Sequence, residues 1–336
     1  MGGVSYQKAN LKNENFFPEN NRIEKTFYSI LPVAMIQYKF TPRKNIRLFY
    51  RSWNNSPSVN QLQEVINNSN PLQLTTGNPE LEQDWQNNLN IRYSSANPEK
   101  NTSFFIFVSG TYVNDYIANS TFLAFQDTTI FNGIALASGT QLSRPVNIDG
   151  NYSFRTFGNY SFPLSFIKSS LNINGNANYT RTPGLLNNVL TYSTNTNSGI
   201  GFAISSNISE KFDFLVSSNG SFSNIQNTSN TASENNSFNL TSRIKTQLMP
   251  WKGLVLQTDI THQYNSGLSQ SYNQNYYLWN AGIGYKFLKD RVAEVRLTVF
   301  DLLEQNINIS RNTTDIYYED VYDQAAGDCQ AGGQRS

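Results

Sequence analysis

Apolar and polar residues alternate with a period of two through most of this 336-residue chain. The clearest case is the stretch 171–179, where Leu171, Ile173 and Tyr179 share one parity and every even position is an asparagine. Successive side chains of a β-strand point to opposite faces. The stretch therefore predicts a strand with one apolar face and one face lined by amides.

The connections between such stretches alternate in length, short and then long. Residues 41–45 and 97–102 are short turns, whereas residues 54–83 and 117–144 are long connections. A soluble sandwich has no reason to make every second connection long. Outer-membrane barrels do, because their periplasmic turns are short and their extracellular loops are long. The pattern predicts an all-β, antiparallel transmembrane barrel of the outer membrane.

This rhythm gives about fourteen strands, each near the 9–11 residues that cross a bilayer when tilted. We assign residues 1–323 to an incomplete outer-membrane barrel segment, and residues 324–336 to a disordered or aberrant C-terminal tail. The predicted strands are a weak one at 4–11 and then 27–40, 46–53, 85–94, 103–116, 145–160, 171–179, 199–208, 212–224, 237–249, 254–264, 276–287, 292–300 and 315–322.

Composition excludes several other classes of protein. No run of 18 apolar residues exists, so the sequence predicts no transmembrane helix. Charged residues make up only 15% and aromatic residues 13%, which is unlike a disordered chain. A net charge of +1 gives no electrostatic footprint for nucleic acid. The first residues lack the basic and apolar parts of a secretory signal, so we expect the chain to be a fragment.

The two predicted faces differ in chemistry at their ends and along their length. The ends of the apolar faces are occupied by aromatic residues, whose rings suit the headgroup level of a bilayer. These residues are Trp85, Tyr93, Tyr112, Tyr116, Tyr264, Tyr277, Trp279, Tyr285 and Phe287. The opposite faces carry charged residues, which are energetically unfavourable in contact with lipid but not in a water-filled lumen. These residues are Arg92, Arg155, Arg243, Lys245, Asp259, Lys286 and Arg296.

One long connection, 54–83, shows internal order. Ser56 and Pro57 read as an N-cap followed by proline at the first helical position. Val59, Leu62 and Ile66 follow at near-helical spacing, before turn signals at 70–71 and 77–79. The pattern predicts a folded loop packed over a barrel mouth.

The sequence predicts no catalytic, cofactor-binding or metal-binding residue, and no enzymatic activity. The single histidine, His262, shares the parity of Leu254, Ile260 and Tyr264, which favours a position in the aromatic girdle. The single cysteine, Cys329, excludes a disulfide framework within the chain. Acidic residues that could bind a divalent cation are read as solvated loop charge: Glu80, Glu82, Asp84, Glu319 and Asp320.

Several motifs resemble the barrel part of TonB-dependent receptor-like outer-membrane proteins of the Bacteroidetes type. The resemblance covers residues 26–316. The motifs are Leu48-Phe-Tyr-Arg-Ser52, Ser56-Pro-Ser58 followed by Gln61-Leu62, Ser69-Asn-Pro-Leu72, Gly77-Asn-Pro-Glu-Leu81, Asn88-Leu-Asn-Ile-Arg-Tyr93 and Leu297-Thr-Val-Phe-Asp-Leu-Leu303.

The resemblance implies a barrel of 22 strands with an N-terminal plug, in the outer membrane of a Gram-negative bacterium. Such a receptor binds a scarce nutrient, such as a siderophore, glycan, peptide or vitamin, and imports it. Its partners are outer-membrane lipid, that small-molecule or oligomeric nutrient, and an inner-membrane energy-coupling protein. The last acts through a plug domain that we do not find in this chain. The alternative is a surface-binding, adhesin-like or passive barrel without active import.

Overall fold

A computed structural model describes residues 1–15, 21–130, 133–206, 209, 211–228, 230–267, 273–287, 293–305, 307–313, 318–324 and 329–335. No helix within these ranges is long and apolar enough to cross a membrane. The elements are β1 Gly2–Asn15, β2 Asn21–Thr41, β3 Lys44–Asn55, α1 Val59–Leu62, β4 Gln73–Thr75, β5 Asp84–Asn97, β6 Thr102–Asn114, β7 Tyr116–Leu123, β8 Thr128–Ile130, β9 Ile134–Leu136, β10 Gln141–Ile148, β11 Asn151–Leu164, a 3-10 helix Ser165–Ile167, β12 Ser169–Leu186, β13 Val189–Ser206, β14 Phe212–Asn227, β15 Asn230–Leu248, β16 Leu254–Ser266, β17 Gln274–Phe287, β18 Ala293–Val299, β19 Ile307–Thr313, β20 Tyr318–Gln324 and β21 Cys329–Arg335.

Antiparallel strands that follow one another along the chain form a continuous wall. β1 pairs with β2, β2 with β3, β3 with β5, β5 with β6, and β6 with β11. From β11 onward each strand pairs with the next as far as β18, and β18 pairs with β21. The predicted all-β, antiparallel fold class is thereby confirmed.

The predicted count of about fourteen strands is wrong. The largest sheet has 17 strands in the described residues, and two further sheets have two strands each. The additional strands β4, β7 and β10 lie in or beside the connections 54–83 and 117–144, which the sequence predicts as loops. These loops are ordered, and their backbone groups form hydrogen bonds with one another, β10 with both β4 and β7. No pairing in the described ranges joins β1 to β21, so the sheet is not closed.

Several strands are longer than the bilayer requires. β12 and β13 have 18 residues each, and the predicted loop 181–197 is the end of their hairpin. Asn187 and Asn188 make the turn with φ of 48° and 62°, the positive values that two-residue hairpin turns of type I′ need. β14 and β15 likewise extend through much of the predicted loop 225–236. These hairpins therefore project beyond the membrane.

The two faces of the wall separate by chemistry as the alternation predicts. One face, named the outer face, exposes large apolar side chains that include Ile30, Tyr38, Leu89, Ile173, Ile200, Phe222, Ile244, Tyr277, Ile283 and Leu297. Near the short turns, the Phe104 ring lies 5.9 Å from the Tyr93 ring and 6.3 Å from the Tyr160 ring. Such a row of rings is typical of an interface girdle.

Arg181 marks the other limit of the apolar band on β12. It has the same parity as Leu171, so both side chains lie on the outer face. Its guanidinium lies 3.6 Å from the centroid of the Tyr192 ring and 5.7 Å from that of Tyr152. The ten residue-to-residue steps from 171 to 181 rise about 25 Å along the membrane normal in a tilted strand, the height of a barrel's apolar band.

The end of the chain differs from the simple pattern. Within the stretch 324–336, assigned above to a tail, β21 pairs with β18 from Cys329 to Arg335. This pairing satisfies backbone N–H and C=O groups at the edge of β18, which the hydrocarbon of the bilayer could not hydrogen-bond. The described part of the predicted strand 315–322 belongs to β20, which pairs with β19 rather than with the wall. The predicted turn 288–291 lies outside the described residues.

Candidate functional site

Two long connections at one end of the wall fold together. They comprise residues 56–83, between β3 and β5, and residues 116–148, between β6 and β11, and we name them the loop-end cap. β4 of the first connection pairs in parallel with β10 of the second. Their apolar centre contains Leu74, Phe122, Ala124, Ile130, Ile134, Leu136 and Leu142. The loop 54–83 is therefore folded and packed, as predicted.

The turn at Gly77 and Asn78 ties the two halves of the cap together. The Gly77 N–H donates to the Gln63 carbonyl at 2.9 Å. The buried Asn78 amide donates to the Pro145 carbonyl at 3.0 Å, and the Arg144 guanidinium donates to Asn78 Oδ1 at 2.9 Å. Asn78 thus links residues that lie 66 and 67 positions apart in the sequence.

The helix of the cap is shorter than its sequence pattern predicts. Its N-cap is Ser58 rather than Ser56, in a capping box with Gln61, and the helix ends after Leu62. The Gln63 carbonyl, which a longer helix would use for its next turn, accepts from Gly77 instead. Ile66 consequently lies beyond the helix and is 42% exposed.

The cap is fastened to β2 by the segment that precedes β5. The Lys25 ammonium donates to the Leu81 carbonyl and lies 3.4 Å from the Glu82 carboxylate. Gln83 donates from Nε2 to the Tyr28 carbonyl at 2.8 Å, and its own side chain is buried. Buried polar contacts of this kind hold a loop in one arrangement, because leaving any member unpaired costs free energy.

A cavity of about 400 Å³ opens in the cap between its two connections. Its lining carries amide and hydroxyl groups and no charged side chain, and the Gln63 Nε2 atom beside it is buried without a hydrogen-bond partner. Such a lining suits a solute that accepts and donates hydrogen bonds. The lining includes Asn60, Gln63, Asn67, Thr75, Asn119 and Ser143.

Asp115, at the junction of β6 and β7, lies among other acidic groups. Its N–H donates to Asp149 Oδ1 at 2.9 Å, and its carbonyl accepts from Asn147 Nδ2 at 2.7 Å. Burial, followed by the charges of Asp149 and Glu82, raises the pKa of the Asp115 carboxyl above its ordinary value. The residue also has a φ of 52°, which asparagine tolerates as well as aspartate.

We expect Asp115→Asn to stabilise the protein at neutral pH by about 0.5 kcal/mol or less, since the site is largely exposed and screened. A raised carboxyl pKa means that the folded state loses stability as pH rises through that pKa. The advantage of the variant should therefore vanish at pH values where Asp115 is protonated in both states. Urea unfolding between pH 3 and 8 measures this, with Glu99→Gln at the opposite end of the wall as control. An equal gain for both variants would contradict it.

Of the predicted lumenal charges of β15–β18, Arg243, Asp259, Lys286 and Arg296 form ion pairs on the polar face. Arg243 donates to both oxygens of Asp259, and the Nε–Oδ1 distance is 2.8 Å. Arg296 donates from Nε to Glu294 at 2.6 Å, and Lys286 lies 3.9 Å from the same carboxylate. Arg243 therefore has a carboxylate partner of its own on this face, and Lys286 and Arg296 share one.

His262 lies on the outer face, in the girdle position that its parity predicts. Its ring stacks on Tyr277 with 4.6 Å between centroids, and Nε2 lies 2.7 Å from Asn275 Oδ1. Asp259, the nearest acidic residue in sequence, is paired with Arg243 on the opposite face. The arrangement gives the histidine a packing role.

No group of three or more His, Cys, Asp or Glu within the described part of the chain could hold a metal ion. Glu82 contacts Lys25. Asp84 is buried and accepts from the N–H and the side-chain amide of Asn55 at 3.0 and 3.3 Å. The side chains of Glu319 and Asp320 lie outside the described residues.

Three phenylalanines on the polar face escape the sequence analysis. Phe105, Phe107 and Phe157 share the parity of the lumenal charges Arg92 and Arg155 through the register of β5, β6 and β11. The signal lies in residues 104–107, where apolar residues occur at both parities and break the alternation. A strand with two apolar faces in an otherwise amphipathic wall indicates a second contact surface.

The sequence profile of the outer membrane protein beta-barrel family matches residues 3–220 and 187–326. The chain belongs to this family. The barrel is therefore an outer-membrane protein, and the predicted localisation is confirmed. A crystal structure of a Pseudomonas aeruginosa FadL homologue aligns with 99% of this chain and 86% of its own, with 8% identity and a TM-score of 0.33. No curated protein sequence matches the barrel.

Proposed function

We propose that this outer-membrane barrel is the wall of a TonB-dependent receptor-type importer, which captures a scarce nutrient at its loop end. The observation that carries the proposal is the folded loop-end cap, with its own apolar centre and a cavity of about 400 Å³. A receptor needs a binding surface that is ordered before the ligand arrives, because ordering loops on binding costs affinity. An open pore gains nothing from such a structure.

In this proposal the wall is part of a closed barrel of 22 strands whose wide lumen holds a plug. The energy-coupling protein of the inner membrane acts on that plug, and the wall supplies the path. The motif strings shared with such receptors include Ser56-Pro-Ser58 and Gly77-Asn-Pro-Glu-Leu81, which build the cap. The resemblance and the ordered part of the loop end therefore coincide.

Growth and uptake in the source bacterium test this proposal. Strains lacking this gene or the energy-coupling gene are compared while iron, a vitamin, a glycan or a peptide is limiting. We expect one nutrient to expose the same growth defect in both strains. The labelled nutrient should still bind to cells that lack only the coupling gene. Import that survives loss of the coupling gene, or a gene deletion silent for every nutrient, would overturn the proposal.

We also propose that the barrel is not an enzyme. A hydrolytic site with a histidine base would have to use His262, whose ring stacks on Tyr277 and whose Nε2 lies 2.7 Å from Asn275 Oδ1. Ser242, which lies opposite His262, shares a hydrogen bond with Ser218 instead. We expect His262→Ala to leave nutrient uptake within about twofold of the native rate, since girdle positions contribute packing alone. Loss of a hydrolytic activity of purified membranes in this variant would contradict the expectation.

A further inference from the structure

Two arginines and two phenylalanines form one row across four strands on the polar face. The register places Arg47 of β3 opposite Arg92 of β5, Arg92 opposite Phe107 of β6, and Phe107 opposite Phe157 of β11. Cα atoms of such neighbours lie about 4.5–5.5 Å apart. A doubly charged segment and an aromatic segment are thus adjacent on the wall.

The arginines of this region have no carboxylate partner in the described ranges. Arg47, Arg51, Arg92 and Arg155 are all exposed, and none of them forms an ion pair with a described residue. Like charges directly opposite one another destabilise a strand pair. Apart from Arg47 and Arg92, which lie opposite each other, their direct cross-strand neighbours are uncharged: Val33, Gln37, Asn88, Phe107, Ser109 and Asn178.

The phenyl rings of this region meet water. Phe157 is 40% exposed, its ring centroid lies 6.1 Å from that of Phe105, and the Arg92 guanidinium lies 5.0 Å from the Phe105 ring. Exposed apolar area in a wet lumen is unfavourable. The like charges of the arginines and the exposed phenyl rings each raise the free energy of the folded wall, and the two groups are adjacent. A single ligand that contacts both can lower both contributions.

We propose that Arg47, Arg92, Phe107 and Phe157 form a lumenal site for an anionic solute with an apolar or aromatic body. A carboxylate or phosphate group lies between the guanidinium groups, which bind such oxygens through paired N–H donors. The body of the solute covers the phenyl rings. The inference rests on the proposed function in taking this solute as the cargo, and it names the cargo's chemical class.

The contrast with β15–β18 supports this assignment. There, Arg243 and Arg296 have carboxylates of the same face as partners. Arg92 instead lies opposite a second arginine, Arg47, and next to phenyl rings. The chain therefore gives the arginines on one side of the wall carboxylate partners, and it leaves Arg47 and Arg92 without a carboxylate partner among the described residues.

Binding to the full-length protein in detergent tests the site, with phenyl phosphate, inorganic phosphate and benzyl alcohol as probes. Calorimetry should give the tightest binding for phenyl phosphate and weakening with added salt. We expect Arg92→Gln to weaken phenyl phosphate binding about tenfold or more, because a charge-assisted contact is lost. Arg181→Gln, which removes the same charge from the outer face, should change the Kd by less than about twofold. Phe157→Leu should weaken the two probes that carry a ring, phenyl phosphate and benzyl alcohol, and leave inorganic phosphate unchanged.

The heat-dependent gel shift of folded barrels shows that each variant is folded before it is titrated. Equal affinity for phenyl phosphate in Arg92→Gln and Arg181→Gln would refute the site, as would a native protein that binds none of the three probes. The assay contains no inner-membrane component, so probe binding without import would refute the importer and leave the site standing.

Discussion

Ile200→Arg should lower the free energy of unfolding by about 2–4 kcal/mol, the cost of a cation on the lipid face near the bilayer midplane. Ile200 lies on the outer face and is 70% exposed, so lipid contacts it directly. Its cross-strand partner is Gly175, which lies between Leu171 and Arg181, the limits of the apolar band on β12. Urea titration in lipid vesicles, followed by intrinsic tryptophan fluorescence, measures the loss.

Ser221→Arg provides the matched control. Ser221 follows Gly220, the partner of Ile200 on β14, so the two positions share one depth in the membrane. Its side chain lies on the polar face, where an added cation meets water, and we expect a change within about 0.5 kcal/mol. Similar losses in both variants would mean that the two faces do not differ in solvent. The membrane orientation of the wall would then be wrong.

The wall could be predicted from sequence because its determinants are local. In β12, four asparagines alternate with Leu171, Ile173 and the other odd-numbered residues. This alternation alone assigns each side chain to a face, whatever the neighbouring strands are. The same period of two identifies β5 and β16. The lengths of β12 and β13 were missed since their ends carry threonine, proline and asparagine, which resemble a loop until the Asn187-Asn188 turn is recognised.

The cap could be predicted only in part because its determinants are not local. Val59 and Leu62 predicted the helix, although its N-cap is Ser58 rather than Ser56. The early end of the helix depends on Gly77, 15 residues after Leu62, and on the second connection beyond β6. β4 has three residues, too few for a periodic pattern to register. The buried Asn78 shows no sequence signal that separates it from any other turn asparagine. Its importance comes from partners near residue 145.

The same distinction explains the lumenal site. Arg92 and Arg155 were assigned to the polar face from parity, which the register confirms. Which residues lie beside these arginines depends on the order of strands in the sheet. β6 pairs with β11, which follows it in the sequence only after the whole second connection of the cap, so their surroundings cannot be read from one strand. A single strand cannot show that Arg47 and Arg92 lie opposite each other, without a carboxylate partner among the described residues.

Gly77→Ala should unfold the loop-end cap locally and leave the wall intact. A Cβ atom at this position would lie 2.7 Å from the backbone carbon of Gln63 and 2.8 Å from its backbone nitrogen, so the turn and the helix end cannot both stay in place. Overpacking of this kind costs about 1–3 kcal/mol. The cap has a small apolar centre and depends on the contacts of Asn78, so we expect that loss to exceed its local stability.

Hydrogen exchange of residues 56–83 and 116–148 measures the result, and we expect protection to fall there while β12–β16 keep theirs. Nutrient capture by whole cells should fall by about tenfold or more in the same variant. The ligand must then order the unfolded cap as it binds, and the free energy of that ordering lowers the affinity. Gly110→Ala is the control, since a Cβ atom there meets nothing within 4 Å. Normal capture by Gly77→Ala with an unprotected cap would separate the cap from ligand binding, and the receptor proposal would lose the observation on which it rests.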